Sequence, residues 1–119
     1  MVEFEYFTDY EFKRAIPACS LLDMDFNFMS KLDYARKVAG IPFVVNSAFR
    51  TKEYELSKGR TGTSSHCKGV AVDIRCNSTL SRYRIVFAAL SANIRRIGIG
   101  KNFIHLDCDS TKPDAIWLY

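Results

Sequence analysis

The chain has 119 residues with a net charge of +4; 48% are apolar, 13% aromatic and 25% charged. That balance predicts one domain over residues 1–119 with a packed core, and it excludes a disordered chain. No run of about 18 uncharged apolar residues occurs, so no membrane span is expected. The acidic start Met1-Val2-Glu3-Phe4-Glu5 does not read as a secretory signal, which predicts a protein that is cytoplasmic as synthesised.

Thr8 and Glu11 fit a capping box, so a short helix is expected from Asp9 to Ala15, ending before Pro17. Phe28, Leu32, Ala35 and Ala39 recur at helical spacing and predict the main helix over Asp25–Ala39, with Gly40 and Pro42 stopping it. Phe43–Phe49 is apolar and β-branched and reads as a strand. Thr51 caps a short helix through Leu56, and Ser57–Ser65 is a loop. Ala71–Arg75 reads as a strand. A helix over Thr79–Ala92 follows, capped by Asn77 or Ser78, with Leu80, Ile85, Phe87, Ala88 and Leu90 on its apolar side. Arg95–Gly100 and Phe103–Asp109 form a hairpin around Lys101-Asn102, and Ile116–Tyr119 adds an edge strand. Helices come first and the later strands are joined by short turns, which predicts an α+β fold with a mainly antiparallel sheet and flanking helices.

The chain holds only two histidines, His66 and His105. Strand alternation puts His105, Asp107 and Asp109 on one face of the Phe103–Asp109 strand, with Ile104, Leu106 and Cys108 on the other. A polar face of this kind is costly to bury unless a metal or hydrogen bonds satisfy it. Asp73 sits between Val72 and Ile74 and poses the same demand. Two imidazoles and one carboxylate are a common ligand set for a catalytic zinc that keeps one position open for water. His66, Asp73 and His105 are therefore the candidate Zn2+ ligands. Cys19, Cys67, Cys76 and Cys108 contain no C-x-x-C pair and are read as buried free thiols, ahead of a disulfide or a thiolate metal site.

The pattern Ser64-x-His66-x-x-Gly69-x-Ala71-x-Asp73, followed by Phe103-Ile104-His105, resembles the zinc D-Ala-D-Ala carboxypeptidase / L-Ala-D-Glu endopeptidase family. That family shares its metal-site fold with hedgehog signalling domains and lysostaphin-type enzymes. Ser47-Ala48-Phe49-Arg50 is similar to the Ser-x-x-Arg segment that precedes the family's first ligand. The resemblance implies a hedgehog/D-Ala-D-Ala peptidase-like fold and a zinc peptidase acting on peptide stems or cross-links of peptidoglycan. Arg50 would bind a substrate carboxylate or the tetrahedral oxyanion, or else serve a structural ion pair. Ser47 and Ser64 are candidate substrate-binding residues, with turn chemistry the alternative for Ser64. Gly69 would serve backbone conformation.

One position departs from the family pattern. Many members carry an acidic base three residues before the last histidine, and this chain has Asn102 there. Asp107 is the nearest substitute, either as the catalytic base or as a carboxylate that orients a ligand histidine.

Two function classes follow. The first is a monomeric peptidase, of the kind used as a phage-type lysis enzyme, acting at the bacterial cell wall once released. The second is a zinc-containing wall-binding module without turnover. A nucleic-acid partner, resting only on Arg82, Arg84, Arg95 and Arg96, is not expected, because no compact cationic run exists.

Overall fold

The computed structural model describes residues 3–119. Met1 and Val2, which open the acidic N-terminal segment, lie outside them. Four helices run over Asp9–Lys13 (α1), Phe26–Ala39 (α2), Lys52–Ser57 (α3) and Thr79–Ser91 (α4). Five strands run over Val45–Ser47 (β1), Ala71–Arg75 (β2), Arg96–Ile99 (β3), Phe103–Asp107 (β4) and Ala115–Leu118 (β5). One-turn 3-10 segments occupy Leu21–Asp23 and Ser65–Lys68.

The helix ends have identifiable causes. The Glu11 carboxylate accepts the Thr8 N–H at 2.8 Å, closing the expected capping interaction of α1. Asp25 caps α2 by accepting the Phe28 N–H at 2.9 Å, and Gly40 ends it in the left-handed conformation at φ 68°. Thr51 caps α3, and Ser78 rather than Asn77 caps α4, each by accepting an N–H three residues on.

The strands form one sheet in the order β1-β2-β4-β3-β5. Three of its pairings are antiparallel, but β5 lies parallel to β3, so the sheet is mixed rather than purely antiparallel. The chain path explains this. Asp107 at the end of β4 and Ala115 at the start of β5 both pair with Arg96, so the intervening loop stays at one end of the sheet and β5 must run the way β3 runs. β1 is shorter than the predicted Phe43–Phe49 strand, and its register with β2 is broken between Val45 and Ser47. β4 ends at Asp107, so Asp109 lies beyond the strand.

One face of the sheet carries Val72, Ile74, Ile97, Ile104 and Leu106 into a core shared with Phe28, Met29, Leu32 and Ala35 of α2 and Ile85, Ala88 and Ala89 of α4. Each fully buried large side chain in it contributes roughly 1.5–3 kcal/mol. The sequence reading of α4 needs correction here. Leu80, Phe87 and Leu90 face solvent at 59%, 53% and 51% exposure, while the small Ala88 and Ala89 face inward. Small residues let α4 approach α2 closely, and the bulkier ones are left on the outside.

Candidate metal centre

Strand alternation turns the residues between those core positions to the opposite face of the sheet. There a single row of cross-strand neighbours crosses all five strands: Ser47, Asp73, His105, Gly98 and Trp117. Facing residues in adjacent strands stand about 4.5–5.5 Å apart at Cβ, so register alone brings Asp73 to His105. His105 Nδ1 lies 2.9 Å from Asp73 Oδ1. Gly98 keeps the row open on the other side of His105, since a Cβ there would meet the Trp117 ring at 2.7 Å. Trp117 consequently lies with its ring centre 5.5 Å from that of His105.

His66 arrives from outside the sheet, on the Ser65–Lys68 turn that leads into β2. Ser64 caps this turn by accepting the His66 N–H at 3.0 Å. Gly69 ends it at φ 72°, where a Cβ would meet the Asp23 carbonyl oxygen at 2.6 Å. Both geometric demands explain the Ser64 and Gly69 of the motif without recourse to substrate.

The two imidazoles are fixed in complementary ways. His66 Nδ1 donates to the Ala48 carbonyl at 2.7 Å, which leaves Nε2 as the lone-pair nitrogen, 3.4 Å from Asp73 Oδ1. His105 Nε2 donates to Asp107 Oδ2 at 2.7 Å, which leaves Nδ1 facing Asp73. One ligand atom from each of His66, Asp73 and His105 lies within 4.8 Å of the others. Zinc bonds of about 2.0–2.2 Å at tetrahedral angles place ligand atoms roughly 3.3–3.5 Å apart, so the spacing and the donor set fit that ion.

A second row, Ala71–Asp107–Arg96–Ala115, lies next to the first. Asp107 is buried, and its Oδ1 accepts the Arg96 Nε–H at 2.9 Å and the Asp109 N–H at 3.0 Å. With His105 on Oδ2, the carboxylate has donors on both oxygens. Arg96 is held in turn by the Pro113 carbonyl and by the Trp117 ring, 4.9 Å from its guanidinium carbon. Arg50 is similarly engaged. It donates to Ser47 Oγ at 3.0 Å, to Asp73 Oδ2 at 3.3 Å and to Glu55 at 3.5 Å. Ser47 is buried and its hydroxyl accepts from Arg50.

Charge states follow from these contacts. Burial raises the Asp73 carboxyl, but in the metal-free protein an imidazole that takes up a second proton donates to it, and hydrogen bonds of this kind from His105 and His66 outweigh burial and hold the group well below the usual carboxylate range. For His105 burial favours the neutral ring, yet Asp107 and Asp73 prevail and raise its pKa. Asp107 is lowered against its burial by His105, the Asp109 N–H and Arg96. Asp109 is lowered against its burial by Thr111, Ser65 and Lys68. It accepts from Ser65 Oγ at 2.7 Å and Lys68 Nζ at 3.1 Å, which ties the His66 turn to the segment after β4.

The three ligand candidates open into a cavity of about 430 Å³, whose lining also includes Glu55, Arg60, Lys112, Trp117 and Tyr119. All five fall within Thr51–Ser65 and Ser110–Tyr119, the two segments the sequence predicts as the cleft walls, although it singles out none of them by residue. Glu55 is fully buried in α3 and paired with Arg60 at 3.1 Å. Trp117 and Tyr119 line the cavity from the edge strand that the sequence predicts over Ile116–Tyr119 and the structure gives as Ala115–Leu118. Asn102 is exposed in the β3–β4 turn, where its carbonyl accepts the Cys76 N–H at 2.9 Å. All four cysteines are free, but only Cys76 is buried, so the expectation of buried thiols holds for it alone.

A His-Asp-His cluster of this geometry, on the polar face of a small mixed sheet and lining a cavity, is a candidate metal site. A family model described as Peptidase M15 matches residues 8–107, a span that contains every ligand candidate, and the chain belongs to that family. Comparison with curated proteins and with solved structures finds no significant match.

Proposed function

We propose that residues 1–119 form one zinc-dependent peptidase domain that hydrolyses peptide bonds in the stems or cross-links of bacterial peptidoglycan. The observation that carries this reading is the convergence of His66 Nε2, Asp73 Oδ1 and His105 Nδ1, each histidine with its other nitrogen already committed. These three residues would hold the ion. Bound there, zinc would supply Lewis-acid polarisation of the scissile carbonyl and activation of a water near neutral pH.

The chain's own groups do the rest. Arg50 keeps Asp73 turned so that Oδ1 faces the histidines, through its bond to Oδ2. A guanidinium has five N–H donors and three are committed here, so the remaining two are the ones offered to a substrate carboxylate or oxyanion. Asp107 orients His105 and stabilises positive charge on it; with donors on both oxygens it is a positioning residue rather than a free base. Trp117 and Tyr119 wall one side of the cavity and limit water there. Ser47 and Ser64 act through Arg50 and the His66 turn. Action at the cell wall is part of this proposal and is supported by the resemblance in the motif; a phage-type lysis role is proposed with it on the chain's compact size of 119 residues.

A second reading is favoured by one observation. Among the described cavity residues each carboxylate has a cationic partner: Glu55 two arginines, both on Oε2 with the buried Oε1 left without a partner, Asp73 Arg50 and the histidines, and Asp107 Arg96 and His105. A wall-binding module that holds zinc without turnover would show the same. Zinc-loaded protein incubated with purified peptidoglycan decides between them. New amino groups, with fragment masses that identify the bond, support the peptidase; wall binding with intact zinc and no release supports the module.

A further inference from the structure

The cavity around His66, Asp73 and His105 carries charges of both signs, but they are not equally accessible. The side chains of its carboxylates, Glu55, Asp73 and Asp107, are 0%, 17% and 1% exposed. Arg60 and Lys112 project at 49% and 37%. A ligand entering the cavity therefore meets cationic side chains before carboxylates, which favours an anionic group on it.

The two projecting cations are not equivalent. Lys112 Nζ already donates to Ser65 Oγ at 3.1 Å and lies 3.5 Å from Asp109 Oδ2. Arg60 is committed through Nη1 alone, which donates to Glu55 Oε2 at 3.1 Å. A guanidinium has five N–H donors, so the others on Arg60 have no partner among the described residues. They stand in a planar fork that fits a carboxylate with two parallel hydrogen bonds.

Glu55 fixes where that fork stands. Its carbonyl accepts the Arg60 main-chain N–H at 3.0 Å and its Oε2 accepts from the side chain, so Arg60 is tied to one residue at both ends. The same oxygen accepts from Arg50 Nη1 at 3.5 Å, which links both guanidinium groups to the Asp73 ligand. The other oxygen, Oε1, is buried without a partner. A fully buried carboxylate satisfied on one side only costs folding free energy, so stability does not account for Glu55, whereas the placing of two arginines does.

We infer that, on the reading of this cavity as a peptide site, Arg60 is a specificity-determining residue that binds a free carboxylate of the substrate, with Glu55 as its positioning residue. The site therefore takes an acidic peptide in preference to its amidated form. Arg50 stands at the metal centre, 3.3 Å from Asp73 Oδ2, and is largely buried. Arg60 is half exposed and reads a group nearer the rim.

The test uses the zinc-loaded full chain and two probes: a synthetic stem peptide with free carboxylates, and the same peptide with each carboxylate converted to the carboxamide. The readout is the ratio of KM for the two where the chain hydrolyses them, and the ratio of Kd by calorimetry where it does not, so it remains measurable if the peptidase reading fails. The parent is expected to favour the carboxylate form. Arg60→Gln should cut that preference about fivefold, in KM or Kd rather than in kcat. Arg60→Lys, which keeps the charge and loses the fork, should recover part of it. Glu55→Gln, which leaves Arg60 in place but loosely held, should lose a smaller factor than Arg60→Gln. Arg84→Gln removes the same charge from an exposed position on α4, a helix packed on the opposite face of the sheet, and should retain the parent's preference. Zinc content and circular dichroism verify each variant. If Arg60→Gln does not fold, Glu55→Gln/Arg60→Gln removes the buried charge along with its partner and gives the same reading. A parent without the preference, a preference unaltered by Arg60→Gln or Glu55→Gln, or an equal loss in Arg84→Gln overturns the inference. Hydrolysis that persists alongside such a result leaves the peptidase reading standing.

Discussion

His66 and His105 reach the same point by different physical means. His66 sits on a single 3-10 turn, its ring backed by a neutral main-chain carbonyl and its turn anchored through Ser65 and Lys68 to Asp109. His105 sits in a central strand, its ring backed by a buried carboxylate that Arg96 holds in place. A carbonyl fixes a tautomer and an orientation. A carboxylate does that and also makes the imidazole more basic. One arm of the site is therefore positioned by local turn geometry, the other by a charged network that spans β3, β4 and β5.

The largest effects come from removing either arm. His66→Ala or His105→Ala should abolish stoichiometric zinc binding at neutral pH, because the remaining two ligands do not retain the ion against dilution. Elemental analysis after dialysis reads this directly, and zinc content equal to that of the parent would remove both residues from the ligand set.

Asp107→Asn should come next, since it acts only on the carboxylate-backed arm. The effect is expected to be about 10–100-fold in zinc affinity, with hydrolysis lost in proportion. A variant that keeps full zinc affinity but loses hydrolysis would instead return Asp107 to the role of catalytic base. Measuring both quantities on one preparation separates the two outcomes.

The same asymmetry explains how much could be read from the sequence. The clustering of His66, Asp73 and His105 was legible because two histidines and a carboxylate among apolar strand residues leave few alternatives. Asp73 and His105 could be placed on strands from periodicity alone. The roles of their neighbours were not legible, because they depend on register. Nothing local says that Arg96 faces Asp107 across a hairpin, or that Gly98 makes room for Trp117. The parallel course of β5 depends on which end of the sheet the 108–114 loop stays at, a property of three-dimensional closure. α4 misled for a related reason: with apolar residues all around it, periodicity cannot say which side meets α2, and the alanines won because they pack closer.

Titration should expose the charged arm in the metal-free protein. The His105 pKa is raised above its ordinary 6.5, so the stability it contributes is fully present below that value and is lost as pH climbs through the raised pKa. Asp73 and Asp107 are lowered from 3.8, so their contribution is present above that value and lost as pH falls through the lowered ones. Metal-free protein should accordingly unfold at its highest temperature between about pH 4 and 6.5. Zinc affinity should follow the opposite trend across neutrality, rising with pH as protons leave His105. Thermal scans with and without chelator test this, and a metal-free maximum at or above pH 8 would contradict the His105 assignment.

The smallest expected effect tests the turn-borne arm. Asp109 touches neither histidine ring, yet its buried carboxylate holds Ser65 Oγ, Lys68 Nζ and Thr111 Oγ1, so it braces the turn that presents His66. Asp109→Ala leaves the buried Ser65 hydroxyl without its acceptor, at a cost of about 1–3 kcal/mol in folding stability. Zinc affinity should fall by less than tenfold, because Ala48 still fixes the ring and Gly69 still ends the turn. Denaturant unfolding and metal titration of one variant give both numbers. If Asp109→Ala weakens zinc as much as Asp107→Asn does, the two histidines are positioned by one continuous network. The contrast between a turn held by the main chain and a strand held by charge would then disappear.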